Sequence, residues 1–345
     1  MMRTADLTVA VATLDRPQGL ARCLEALALG TVQPAEVIVV DQGEGAAAVV
    51  EAFRERLPVR HLRQERRGLA ASRNLALAEA CQPVLAVTDD DCVPDVGWVA
   101  ALEHAFRSLP PGRGRVGSGG RLGGGSSEGD DLVASAQHPP PNLPPFPTAP
   151  SQGGGTGGTH PPDAVTGRVL PLGPEQPGLY AVSSRTSLAP ADFAGRALPW
   201  LVGTGGNFAA RRDWLLRAGG FDERLGAGSP GASGEDMDIL YRLLKAGARI
   251  RYEPQAVVYH ERQPRERRLA SRSAYGRGIG ACCGLWLRGR DLHALAVLGG
   301  WLRMRGGMAA GAVRRRQWGG VREELLVLGG TARGLVYGLR AGRAT

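Results

Sequence analysis

The sequence predicts an α/β fold, a mostly parallel central sheet flanked by helices, followed by a basic helical extension at the C-terminus. Three observations carry that prediction. From Leu7 to Asp91, apolar runs of strand length alternate with helical patterns, and the runs are apolar throughout instead of at every second position. Strands of that kind belong to parallel sheets covered on both faces. Next, the runs end in carboxylates, at Asp15, Asp41 and Asp89 to Asp91, and such sheets bind ligands beyond the carboxyl ends of their strands. Finally, of 42 Lys/Arg and 33 Asp/Glu residues, 17 and 5 respectively lie from Glu261 onward. The two parts of the chain are therefore expected to meet different partners.

The elements follow in order. "LTVAVATL" reads as a buried strand, and "PQGLARCLEALAL" as a helix with Leu20, Leu24 and Leu27 on one face and a stop at Gly30. "AEVIVVDQGE" is a second strand, "AAAVVEAFRERL" a helix, "VRHLRQ" a short strand, "LAASRNLALAEA" a helix and "PVLAVTDDD" a further strand. Residues 110–162 are so rich in Gly, Pro and Ser that they bury too little apolar surface to offset their ordering entropy, and a disordered insertion is predicted there. Its glycines match neither a dinucleotide fingerprint nor a P-loop. Order resumes at "DAVTGRVLPLG". "RRDWLLRAGG" and "GEDMDILYRLLKAG" read as helices; the second carries Ile239, Leu240, Leu243 and Leu244 on one face and Glu235 and Asp236 in its first turn. Acidic residues there favour the helix macrodipole. "ARIRYEPQAVVYH" reads as one or two strands ending in His260, either a packed histidine or a partner for the carboxylates around a Mn²⁺-like cation.

The tail mixes Leu, Val and Trp with arginine. Leu292, Leu295, Leu298 and Leu302 share one helical face. Two readings stand: an interfacial helix on anionic lipid, with Trp286, Trp301 and Trp318 near the head groups, or a helix packed on the preceding domain. Without aromatic-interleaved basic motifs, nucleic acid is not the expected partner. Cys23, Cys81, Cys92, Cys282 and Cys283 are odd in number and lack C-x-x-C spacing, which predicts reduced thiols and no zinc site. Asp6 and Asp15 come too early for a signal-peptide core, and no run of about 18 apolar residues exists. The expected location is cytoplasmic, either free or peripheral on the inner face of the membrane.

Eight pieces of the chain, in order, carry a resemblance: "VAVATLDRP", "VIVVDQG", "RRGLAASRNLAL", "VTDDDCVPD", "VTGRVLPLG", "GTGGNFAARRDWLLRAGGFDERLGAG", "GEDMDILYRLLKAG" and "PQAVVYH". Together they resemble the inverting glycosyltransferases of family 2, which have the GT-A fold, over about residues 6–262 apart from the insertion. The resemblance implies a nucleotide-sugar-binding half at 1–109, an acceptor and catalytic half at 163–262, and a tail at 263–345 outside the shared region. It implies a nucleoside-diphosphate sugar donor, a sugar or lipid-linked acceptor, and a divalent cation, Mn²⁺ or Mg²⁺, held by Asp89, Asp91 and His260. Asp89, Asp90, Asp41, Thr13, Asp15, Arg73, Asn74, Gly206 and Asn207 match positions around the donor. Asp236 matches the general base, with Glu235 as the alternative or its partner. The insertion and Leu14, where many relatives carry an aromatic, depart from the pattern. A nucleotidyltransferase on a related sheet and a non-catalytic sugar-nucleotide-binding scaffold are the competing classes, and Asp236→Asn separates catalyst from scaffold.

Overall fold

The structure is a computed structural model that describes residues 3–107, 161–182 and 184–342; nearly all of the predicted insertion lies outside them. The N-terminal half runs β1 (Arg3–Thr13), α1 (Pro17–Ala28), β2 (Val32–Asp41), α2 (Ala46–Phe53), β3 (Val59–Arg63), α3 (Leu69–Glu79), β4 (Val84–Asp89), β5 (Cys92–Pro94) and α4 (Trp98–Arg107). After the insertion come β6 (Ala164–Pro171), β7 (Leu179–Tyr180), β8 (Ala191–Phe193), α5 (Pro199–Val202), β9 (Phe208–Arg211), α6 (Arg212–Arg217), α7 (Glu235–Lys245), β10 (Ile250–His260) and β11 (Gln263–Pro264). The tail is three long helices, α8 (Arg265–Arg288), α9 (His293–Arg314) and α10 (Trp318–Arg340).

The main sheet has the order β3-β2-β1-β4-β9-β6-β10-β5, with β8 on β10. β1 to β4 are parallel, as the continuous apolar runs predict, and β9 is wedged antiparallel between β4 and β6. The register aligns the strand ends: Thr13 lies opposite Asp41, and Ala12 opposite Asp89. The carboxylates of separate strands therefore collect at one edge. β10 is one strand, interrupted by a register shift between Glu253 and Val257. Its end pairs antiparallel with β5, placing His260 opposite Cys92, one residue from Asp91.

Apolar side chains fill both faces. Leu20, Leu24 and Leu27 of α1 and Trp98 and Leu102 of α4 cover one side, while Leu77, Leu215, Ile239, Leu243 and Leu244 cover the other. Each such side chain contributes about 1.5–3 kcal/mol on burial.

The tail packs by a different device. Gly276, Gly280 and Gly284 on α8 meet Gly330, Gly334 and Gly338 on α10 at four-residue spacing, so each trio lies along one helix face. A Cβ at any of the six would collide with facing backbone: at Gly334 with the Arg277 carbonyl, at Gly280 with that of Thr331. This is the close small-residue packing that lets two helix backbones touch.

α8 also seats the tail on the α/β domain. Ser233 Oγ donates to the Ala274 carbonyl at 2.9 Å, and Trp286 Nε1 donates to Asp238 on α7 at 2.8 Å. The Trp286 ring stacks on Tyr241 with centroids 3.8 Å apart. The expectation of Trp286 and Trp301 near lipid head groups is thus corrected: both are buried, and Trp301 donates to Thr331. Trp318 is exposed, as are Leu292, Leu295 and Leu302. The tail does pack on the domain, but through Trp286 and Trp301 and not through Leu292, Leu295 and Leu302, which form an apolar stripe outside.

Candidate active site

The loop after β4 concentrates charge. Asp90 accepts from Thr13 Oγ1 at 2.8 Å, and Arg16 Nη1 donates to both Asp90 and Asp91 at 2.8 Å. These ties fasten the first-strand loop to the carboxylate run. Burial drives the Asp90 carboxyl up from its ordinary value, only partly offset by Arg16 and Thr13. Asp91 goes the other way: burial pulls it up, but His260, Arg16 and Arg267 outweigh that and hold it below the usual carboxylate range.

His260 Nε2 stands 3.5 Å from Asp91 Oδ1, and its Nδ1 lies 2.8 Å from the Glu261 carbonyl. Asp91, Cys92 and His260 place ligand atoms within 4.8 Å of one another, the group among the described residues able to hold a metal. Desolvation among carboxylates pushes the Cys92 thiol well up. One carboxylate and one imidazole suit a Mn²⁺- or Mg²⁺-like ion better than a soft one. Asp89 lies outside this group, and its Oδ1 accepts from Arg73 at 3.0 Å.

Arg73 is the hub between the two halves. It is 2 % exposed and donates from Nη1 to Glu235 at 2.8 Å and from Nη2 to Asp89 and the Gly205 carbonyl. Its guanidinium thus faces protein carboxylates, at a position that the resemblance sets around the donor. Asn74 does not reach the cleft: it donates to the Phe221 carbonyl and accepts from the Phe221 amide, pinning a loop. Asn207 is fully buried, donating to the Arg168 and Ala256 carbonyls and accepting from Trp98 Nε1. Gly206 does line the cleft, against Asp89.

On β2, Asp41 accepts from the Gly43 amide at 2.9 Å and faces His61 and Arg63 at 3.2 Å. Asp15, at a left-handed φ of 53°, accepts from the Glu44 amide. Thr13, Asp15 and Asp41 occupy the carboxyl edge of β1 and β2, outside the lining of the deep cleft.

That cleft holds about 510 Å³ and runs from Asp89, Gly205 and Gly206 past Asp236 to Trp301 and Arg305 of the tail. At the start of α7 the two acidic neighbours have different partners. Glu235 is buried against Arg73; desolvation, with Asp236 adding to it, pushes it up to about 7 despite the arginine. Asp236 is half-buried and accepts from the Gly205 and Met237 amides, both at 2.8 Å. Two amides fix its orientation. Sequence reasoning missed Arg16, Arg267 and the tail residues of the cleft. Arg16 could have been found, since it sits directly after Asp15 at the mouth of α1, but nothing local marks Arg267 or Arg305.

Residues 8–112 match the family model for glycosyl transferase family 2, and residues 187–320 that for glycosyl transferase family group 2. A pre-mycofactocin glycosyltransferase of Mycobacterium tuberculosis is 26% identical over 317 residues, covering 89% of this chain and 54% of that protein. The chondroitin synthase of Escherichia coli is 27% identical, over 78% of this chain and 36% of the synthase. The chain spans about half the length of the first of these relatives, and less of the second. Among solved structures, the mannosyltransferase PcManGT from Pyrobaculum calidifontis, in complex with GDP-Man and Mn²⁺, superposes with a TM-score of 0.52 at 16% identity, over 96% of this chain and 87% of that one. S. aureus TarS 1–349 with UDP-GlcNAc gives 0.51 at 14% identity, over 80% and 65%. At such identities these structures show the fold alone, and it is the predicted one.

Proposed function

The chain belongs to glycosyltransferase family 2, and on that premise we propose that it moves a sugar from a nucleoside-diphosphate donor to an acceptor hydroxyl with inversion at the anomeric carbon. The observation that carries the reading is the split at the start of α7. Glu235 is committed to Arg73, whereas Asp236 meets the cleft as an amide-held carboxylate. Asp236 takes the proton from the acceptor hydroxyl as that oxygen attacks the face opposite the diphosphate; a single base serves a direct displacement. Arg73 ties Glu235 on α7 to Asp89 beside the donor loop, so base and donor loop are set by one side chain.

Asp91 and His260 would hold a divalent cation, and such an ion would supply positive charge to the departing diphosphate. The structural neighbours bound to GDP-Man with Mn²⁺ and to UDP-GlcNAc support a donor and cation of these classes. Synthesis of a cell-envelope or exported polysaccharide is the setting we infer, in keeping with a chondroitin synthase among the relatives. Among the described residues no helix is long and apolar enough to cross a membrane. Peripheral binding to an anionic surface is supported by exposed Leu302, Val313 and Trp318 beside the exposed run Arg314 to Arg316.

Release of nucleoside diphosphate across UDP-, GDP- and dTDP-sugars, with Mn²⁺, Mg²⁺ or EDTA, tests the reading. Metal-dependent release from one donor, lost in Asp91→Ala, is expected. Failure of every donor to bind or turn over sinks it.

A further inference from the structure

The tail end of the cleft contains charge that the reaction above does not use. Arg268 and Arg272 of α8 and Arg305 of α9 are each about nine-tenths buried, and all three line the cavity that holds Asp236. They face two carboxylates on α10. Arg268 and Arg272 share Glu323 at 2.9–3.3 Å, and Arg272 also donates to Glu324 at 3.1 Å. Arg305 is left with the longest ion-pair contacts, 3.4 and 3.5 Å to the same Glu324, and its Nε has no hydrogen-bond partner among the described residues. Three buried cations against two anions leave a positive excess at low dielectric, a costly arrangement unless an anion joins it.

The surroundings also suit a ligand. The Arg305 guanidinium lies 4.3 Å over the Trp301 ring, which packs at 5.3 Å on Trp200, so cation and aromatic surface are presented side by side. Ser184, Arg185 and Thr204 line the same cavity, and their Oγ, Nε and Oγ1 atoms are buried with no hydrogen-bond partner among the described residues. Guanidinium groups select planar or tetrahedral oxyanions, and indole faces accept a sugar ring or alkyl chain.

Resting on the transferase reading, we propose that this end of the cleft binds an acceptor through an oxyanion, a carboxylate or a phosphate, that docks on Arg305 beside the Trp200–Trp301 pair. The site makes the acceptor an acidic molecule, either a sugar acid or a phosphate-linked glycan.

Calorimetric titration of the whole protein at fixed ionic strength tests this with matched probes: methyl glucuronide against methyl glucoside, and octyl phosphate against octyl glucoside. At least one anion should bind about tenfold or more tightly than its neutral counterpart, and the pair showing the preference identifies carboxylate or phosphate. Arg305→Gln should abolish that preference and Arg305→Lys should retain part of it. Binding of nucleoside diphosphate with Mn²⁺ should be unchanged in both. Equal binding of charged and neutral probes by the wild type, or a preference that survives Arg305→Gln, overturns the proposal. Should Arg305→Gln fail to fold, the wild-type comparison decides alone. Absence of nucleoside-diphosphate binding by the wild type would instead overturn the transferase reading, so the two failures are told apart.

Discussion

The α/β domain and the helical tail are held together in opposite ways. In the domain, β1, β2 and β4 bury side chain against side chain, with Val9, Val11, Val37, Val39, Leu85 and Trp98 all essentially inaccessible. On the tail side, α8 and α10 meet backbone to backbone through six glycines, and the interior holds Arg268, Arg272, Arg305, Glu323 and Glu324. The first arrangement tolerates changes of shape at a cost set by cavity volume. The second has no room for even one methyl group, so it should fail by steps instead of by degrees. The tail is also no appendage: it supports the turn that carries Asp236, through Ser233 on Ala274 and Trp286 on Asp238.

The largest effect expected from breaking this comparison comes at Gly334. Gly334→Val drives a side chain into the Arg277 carbonyl, and a loss of more than about 4 kcal/mol is expected, read as a lowered denaturation midpoint together with loss of donor turnover. A midpoint within about 1 kcal/mol of wild type would show that α8 and α10 can part without harm. Next is Trp98→Ala, which empties a fully buried indole site and leaves Asn207 Oδ1 without its donor. About 3–5 kcal/mol is expected by denaturant titration, with residual folded protein still binding donor.

The same contrast explains what could be read without coordinates. Strands β1 to β4 and their helices were legible because burial on both faces leaves an unbroken apolar run, and the carboxylates that end those runs do collect at one edge. Asp91 with His260, and Asp236 with Glu235, are brought together as the strand ends and the α7 start suggested. Asn74 and Asn207 show the limit. Asn74 sits on the expected helix and Asn207 in the expected loop, yet their amides satisfy backbone groups, and which way an amide points is decided by partners distant in sequence. β9 was hidden because an antiparallel wedge of four residues has too little pattern of its own. α8 falls within the predicted helical tail, but its packing face was hidden: a helix that packs by glycine has no apolar stripe to display.

A smaller expected effect sharpens the tail's second role. Replacing Arg314, Arg315 and Arg316 by Gln should weaken binding to anionic liposomes by about 1 kcal/mol per charge while leaving donor turnover in solution unchanged; equal binding by wild type and the triple variant removes the membrane surface from the account. The smallest concerns Glu235. Its folded pKa, raised by burial from 4.5 to about 7, means the folded state binds the extra proton, so stability should fall as pH rises from about 4.5 to about 7. Glu235→Gln should flatten that stretch of the profile, and an unchanged slope would mean Arg73 keeps Glu235 ionised throughout.

The most direct test is Asp236→Asn against wild type with the productive donor and acceptor, following nucleoside-diphosphate release and the anomeric configuration of the product. Turnover lower by about 10²–10⁴-fold with donor affinity retained, and an inverted product from the wild type, is the predicted result. Undiminished turnover in Asp236→Asn, or a product of retained configuration, would contradict the assignment of the α7 carboxylate as the single base of a direct displacement.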